Sequence, residues 1–139
     1  MGRSQTERAI VIHSLAHARA AVAAAAALGV PVTLISAPGA AAYTGPLWFA
    51  EVVAQASAGH PEAKVSAILD CGEAPGLVLA ALRAGLKRVR FTGRRAVAAK
   101  LAAIARRQGA ELVGGRLRTC DLLDLLEPED ACRRWLSAR

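Results

Sequence analysis

Four short runs in this chain are almost entirely apolar and uninterrupted by charge: Ala9-Ile10-Val11-Ile12, Val32-Thr33-Leu34-Ile35, Ala67-Ile68-Leu69, and the Leu112-Val113 pair after Glu111. A fifth, Val89 and Phe91 alternating with Arg88 and Arg90, is apolar on one side only. Between them lie alanine-rich stretches long enough for helices. Three places share one grammar: an alanine-rich segment, a glycine, a short apolar run and another glycine. They are Ala24–Leu28 with Gly29, Val32–Ile35 and Gly39; Ala80–Ala84 with Gly85, Val89–Thr92 and Gly93; and Ile104–Gln108 with Gly109, Glu111–Val113 and Gly114. A glycine just past an apolar-periodic segment suits the left-handed residue that stops a helix, and a short β-rich run beyond it reads as a strand.

With Ile10–His13 and Val65–Leu69 added, the pattern predicts five strands starting near residues 9, 31, 65, 88 and 111, each pair separated by a helix. Alternation of this kind implies a mostly parallel sheet, and near-continuous apolar strands imply burial on both sides. The expectation is a single α/β domain over residues 1–139. It has three layers, an open five-stranded sheet of flavodoxin or Rossmann type with helices on both faces. Residues 1–8 are expected to fray and 116–139 to form a helical tail broken at Pro128. The same grammar resembles the half-units of eight-stranded α/β barrels, with too few units to close one. Arg88 and Arg90 place one face of their strand in water or against a partner, hence near a sheet edge or at a subunit contact.

Composition changes this picture in two ways. Hydrophobic residues make up 54% of the 139 and aromatic residues only 4%, so the core must be built from small side chains packed closely. No apolar run approaches the length of a bilayer span. Three cysteines, Cys71, Cys120 and Cys132, form no CxxC pair, which predicts a reduced, cytoplasmic protein. The net charge of +7 is concentrated in residues 83–107, and 15 of the 18 basic residues are arginine. Acidic residues gather at Asp121–Asp130, where they could cover the basic stripe from within the chain. Without interleaved aromatics the stripe is a poor nucleic-acid surface.

In a parallel sheet, ligands collect where the strands' C-terminal ends meet helix N-termini. That rule gathers His13–His17, Ser36–Gly39, Asp70–Glu73, Thr92–Arg95 and Gly114–Arg116. Thr92, Gly93 and Arg94 read as an anion cradle, with Thr92 or Gly93 as N-cap. Arginines in a first helical turn oppose the helix dipole unless an anion joins them. Asp70, Cys71, Glu73 and His17 are the candidate catalytic groups. Asp70 or Glu73 would serve as general base, and Cys71 as a thiol activated by the helix end, with His13 or His17 as its partner. The alternative is purely structural: a turn at Gly72, a hydrogen-bonding Asp70 and a core Cys71. Spacing alone does not assign a metal to His13 and His17, and no cofactor fingerprint appears. Tyr43, Trp48 and Phe49 are expected to wall a pocket or anchor a homo-oligomer. Together these features predict binding of a small anionic or phosphorylated molecule, with acid–base or thiol-assisted chemistry as its extension. A non-catalytic oligomerising or regulatory module is the alternative.

Overall fold

A computed structural model describes residues 7–138. The order of elements is β1 (Glu7–Ile12), α1 (Leu15–Leu28), β2 (Val32–Ser36), a 3₁₀ turn (Ala40–Ala42), α2 (Pro46–Ala58), β3 (Val65–Asp70), α3 (Pro75–Arg83), β4 (Arg88–Arg90), α4 (Arg95–Arg107), β5 (Glu111–Val113), β6 (Leu117–Asp121) and α5 (Pro128–Ser137). The frayed segment expected at 1–8 lies outside the described residues up to residue 6, and Glu7 and Arg8 already belong to β1. No described helix is long and apolar enough to cross a membrane.

All six strands are parallel, in the order β5-β4-β3-β2-β1-β6. The expected count of five is corrected by β6. The expected helical tail begins instead as a strand that pairs with β1 from Glu7↔Leu117 to Val11↔Asp121.

A second correction concerns the layers. From β1 to β5 each strand is laid beside the one before it, always in the same direction. Right-handed crossovers then place every intervening helix on one face. The packing agrees. One large core joins Ile10, Ile12, Leu34, Leu69 and Val89 to buried residues from all five helices, whereas Ala9, Val11, Ile35, Ile68 and Val113 form a separate small cluster with only Ala37 and Leu117 beside it. The strands are apolar on both faces because the second face packs on itself, not because a second helical layer covers it. The open three-layer sheet is therefore replaced by a curled half-barrel with helices on its convex side.

Two contacts demonstrate the curl. Glu7 on β1 and Arg88 on β4 are three strand positions apart, about 14 Å in a flat sheet. Yet Arg88 donates to both Glu7 carboxylate oxygens at 2.7 Å, to Ser66 Oγ at 2.9 Å and to Glu111 at 3.1 Å. In addition β5 and β6 occupy opposite ends of the strand order but are joined by residues 114–116 alone, a reach of no more than about 15 Å. The arginine-bearing face of β4 is thus the inside of the curl, with its charge met by carboxylates of the same chain. β4 lies next to the edge strand β5, as expected, but its arginine face is turned into the hollow rather than to water. Among the described residues the Asp121–Asp130 segment forms no ion pair with the basic stripe; its only arginine pair is Glu129–Arg133, within α5.

The helices owe their positions to small residues. Ala18, Ala21, Ala24 and Ala25 of α1 are fully buried, letting that helix pack against both α2 and α5. Ser14 caps α1 through a 3.1 Å bond from His17 N–H, and Gly29 closes it in the left-handed conformation, φ 68°. Arg8 ties α5 to β1. Its guanidinium lies 4.3 Å from the Trp135 ring and donates to the carbonyls of Trp135 and Ala138.

The Arg88 hydrogen bonds hold the Glu7 carboxyl below the usual carboxylate range, against a smaller opposing effect of burial. A depressed acid contributes stability at pH values above its unfolded pKa and loses it as pH falls. Arg88→Met should destabilise the fold by about 2 kcal/mol, the scale of lost hydrogen bonds to charged groups. It should also shrink the decline in urea midpoint seen in wild type as pH drops from about 5 toward 3. An acid limb identical in wild type and variant would refute this account of the curl.

Candidate functional site

Because every strand runs the same way, all strand C-terminal ends lie on one rim, and the dispersed polar segments read from the sequence share it. Strand alternation sorts them further. Ile68 and Val113 face the concave side, so Asp70 on β3 does too. Arg90 follows Arg88, and Asp121 follows Leu117 and Thr119, in the same alternation. His13, one residue beyond Ile12, continues β1 on that side. Four charged or polar side chains thus ring the concave mouth.

Asp70 is the most constrained of them, with 6% exposure. Its Oδ1 accepts N–H bonds from Gly72 at 2.8 Å and Gly39 at 3.0 Å, and its own N–H donates to Ser36 Oγ at 2.8 Å. Both glycines have positive φ, 68° at Gly39 and 59° at Gly72. A Cβ on Gly72 would sit 3.6 Å from the Gly39 Cα, so the β2 and β3 loops meet over the carboxylate. Asp70 Oδ2 lies 3.9 Å from Arg90 Nε. Arg90 also donates through Nη2 to the Gly115 carbonyl at 2.8 Å, while its Nη1 is buried with no partner among the described residues.

Cys71 goes the other way. It is 1% exposed and belongs to the helix-side core. Burial, with Asp70 adding to it, pushes its thiol up to about 11. Glu73 is exposed and caps nothing, since α3 starts at Pro75 behind an uncapped Ala74. Of the candidate catalytic residues, the rim's concave side therefore holds Asp70, while Cys71 is turned into the core.

Thr92 N–H bonds the Gly72 carbonyl at 2.8 Å, tying the β3 and β4 loops together. The N-cap of α4 is Arg94, not Thr92 or Gly93, and no side chain caps it. Gly93 leaves room for its neighbour: a Cβ there would run into the Phe91 ring. Thr92, Arg94 and Arg95 are exposed, leaving the first-turn amides of α4 beside two guanidinium groups with no ion-pair partner among the described residues.

At the opposite side of the mouth, His13 Nε2 lies 2.7 Å from Asp121 Oδ1. His13 N–H donates to His17 Nδ1 at 3.0 Å, and the two rings meet edge to face with centroids 5.7 Å apart. Burial raises the Asp121 carboxyl. The Leu123 N–H and His13 outweigh that effect and leave it below its ordinary value. Burial and the neighbouring His13 lower His17, so it is neutral at neutral pH. Among the described residues no three His, Cys, Asp or Glu side chains are arranged to hold a metal ion; His13 is paired with Asp121 rather than with Asp70 or Glu73.

Sequence reasoning missed Asp121 and Arg90 as site residues. Asp121 was assigned to an acidic tail. Reading 117–121 as a strand, from its alternation of Leu117, Thr119 and Asp121, would have brought it onto the rim. The aromatic trio splits: Phe49 is fully buried, while Tyr43 and Trp48 are 73% and 42% exposed. A groove of about 430 Å³ lies away from the rim. It lies between α2 and the α3–β4 turn, near the N-terminal ends of β3 and β4, lined by Phe49, Val53, Val65, Ala67 and Leu86 with Lys87 at its margin. It is a mainly apolar gap between helix pairs; Ser66 and Arg88 also line it, but none of the rim residues Asp70, Arg90, His13 or Asp121 does.

No model of a known protein family matches the chain. No curated protein matches it in sequence. Among solved structures the fold is similar to one described as a "putative fructose-1,6-biphosphate aldolase" from Coccidioides immitis, with a TM-score of 0.65, 19% identity and 78% of this chain covered. The match spans 40% of that chain, so this protein corresponds to less than half of it. At that identity the likeness is one of fold: a parallel, curled α/β sheet.

Proposed function

We propose that the concave mouth at the strand C-terminal ends binds a small anionic molecule, a phosphorylated one by preference. The observation that carries this reading is Arg90, a half-buried side chain at the mouth whose Nη1 has no partner among the described residues. A buried donor without an acceptor is costly, and an incoming oxyanion supplies that acceptor. The exposed Arg94 and Arg95 beside the uncapped start of α4 give a second cationic group with free amides. Thr92 and Gly93 keep their place in this cradle as the segment that sets its backbone. In barrel-type α/β folds the C-terminal face is where ligands bind, and the fold likeness to a protein named for a bisphosphate substrate is consistent with it. Acid–base chemistry fits the rim better than thiol chemistry. A thiol pushed up to about 11 leaves about one part in ten thousand as thiolate at pH 7.

Isothermal titration with inorganic phosphate and with fructose 1,6-bisphosphate is expected to show binding in wild type. Replacing Arg94 and Arg95 together with alanine should abolish it, and Arg90→Gln should weaken it about 10- to 100-fold, one charge-assisted hydrogen bond's worth. Unchanged affinity in both variants removes the cradle. Iodoacetamide should modify native Cys71 far more slowly than unfolded Cys71; rapid labelling at neutral pH would restore the nucleophile.

A second reading, a homo-oligomeric contact, is favoured by the exposure of Leu47 (73%) beside Tyr43 and Trp48 at the start of α2. Such aromatic and aliphatic surface residues are enriched at interfaces. Light scattering is expected to give a multimer for wild type and a smaller species for Trp48→Ala. A monomer in both excludes the anchor.

A further inference from the structure

We infer that His13 and His17 form a proton acceptor and a hydrogen-bond donor acting together on a carbonyl compound at the rim, with Asp121 as the residue that positions His13. The inference rests on the reading of the rim as the ligand site, but its argument is separate. It follows from what each imidazole nitrogen touches. An ionised carboxylate only accepts, so the 2.7 Å contact with Asp121 Oδ1 fixes the proton of neutral His13 on Nε2. Its Nδ1 is then a bare acceptor. A backbone N–H only donates, so the 3.0 Å bond from His13 N–H requires His17 Nδ1 to be bare and puts its proton on Nε2. Two neighbouring rings, 5.7 Å between centroids, therefore carry opposite roles, and each role is fixed by a partner that cannot reverse it.

An acceptor and a neutral donor on neighbouring rings suit a substrate with a C–H next to a C=O. The C–H bond breaks and its proton passes to His13 Nδ1. The electron pair moves onto the carbonyl oxygen, and the resulting enolate accepts the His17 Nε2–H. Protonated His13 is an imidazolium facing the Asp121 carboxylate, which stabilises it as a carboxylate orients a histidine base elsewhere. Return of the proton restores the starting groups, and no oxidant or second substrate is needed. Asp70 is held by Gly39 and Gly72 at Oδ1 and faces Arg90 with Oδ2 at 3.9 Å, which suits it to holding the loops and the arginine. A phosphate on the substrate would fall to the arginines across the mouth.

The test is solvent exchange in D2O, followed by proton NMR, on dihydroxyacetone phosphate and on dihydroxyacetone, which carries no anion. Wild type is expected to exchange the carbon-bound protons of both at least about 100-fold faster than buffer, the scale of general base catalysis. His13→Gln should return both rates to that of buffer while its affinity for inorganic phosphate, by titration, stays within about twofold. Asp121→Asn should lower the rate, Asp121→Glu should restore part of it, and nitrogen-15 NMR should show the His13 proton on Nε2 in wild type and moved toward Nδ1 in Asp121→Asn. Exchange of dihydroxyacetone without binding of the phosphate ester would sink the anion reading and leave this inference standing. Neither probe exchanging, an unaltered rate in folded His13→Gln, or a proton on His13 Nδ1 in wild type would overturn it.

Discussion

The Glu7–Arg88 ion pair is the contact on which the rest of this architecture turns. It spans the concave side of the sheet from β1 to β4, and it can form only if the strands between them bend toward each other. Once they do, the inner face has no room for a helix. It is filled instead by Ala9, Val11, Ile35, Ile68 and Val113, small or branched side chains that meet across the hollow. Below them is the charged floor of Glu7, Arg88 and Glu111; above them is the mouth with Asp70, Arg90, His13 and Asp121. Polar groups at either end and aliphatic groups between give this half-barrel its working direction.

The convex side follows from alanine. Its helices must seat on a strongly bent surface, where bulky residues would hold them off. The fully buried alanines of α1 bring that helix against the sheet while α2 and α5 pack beside it. The same economy of side-chain volume leaves a gap between α2 and α3. The pairs α1–α2 and α3–α4 pack within themselves, and the apolar groove lies at the seam. That groove offers little chemistry. The rim offers more because parallel strands deliver their loops, and the helix starts that follow, to one end.

Much of this was legible in the chain. The five strands expected from apolar runs all form, and glycines 29, 85 and 109 each stop a helix in the positive-φ region. That the strand-end segments share one rim was legible too, because it depends only on strand direction. Sheet curvature was not legible. A run such as Ala9-Ile10-Val11-Ile12 is apolar on both sides whether its second face meets a helix or another strand. The strand β6 was hidden by its position: an edge strand with Arg118 and Thr119 exposed lacks the apolar run that betrays a central one. The cluster at 70–73 combines two unrelated roles, a carboxylate clasping two loops and a cysteine packed in the core. Sequence adjacency could not separate them, because successive strand residues face opposite ways.

The pairing of β6 with β1 joins Glu7 to Leu117, 110 positions along the chain. Closing so long a loop is entropically slow compared with joining each strand to its predecessor. During assembly β1 would therefore wait with one side of its backbone unsatisfied, and Ala9–Ile12 is the kind of sequence that recruits strangers there. Glu7 and Arg8 stand at the head of that strand, where like charges on colliding chains discourage intermolecular stacking. The residues that later bend the sheet and anchor its final helix would thus act first as guardians of an unfinished one.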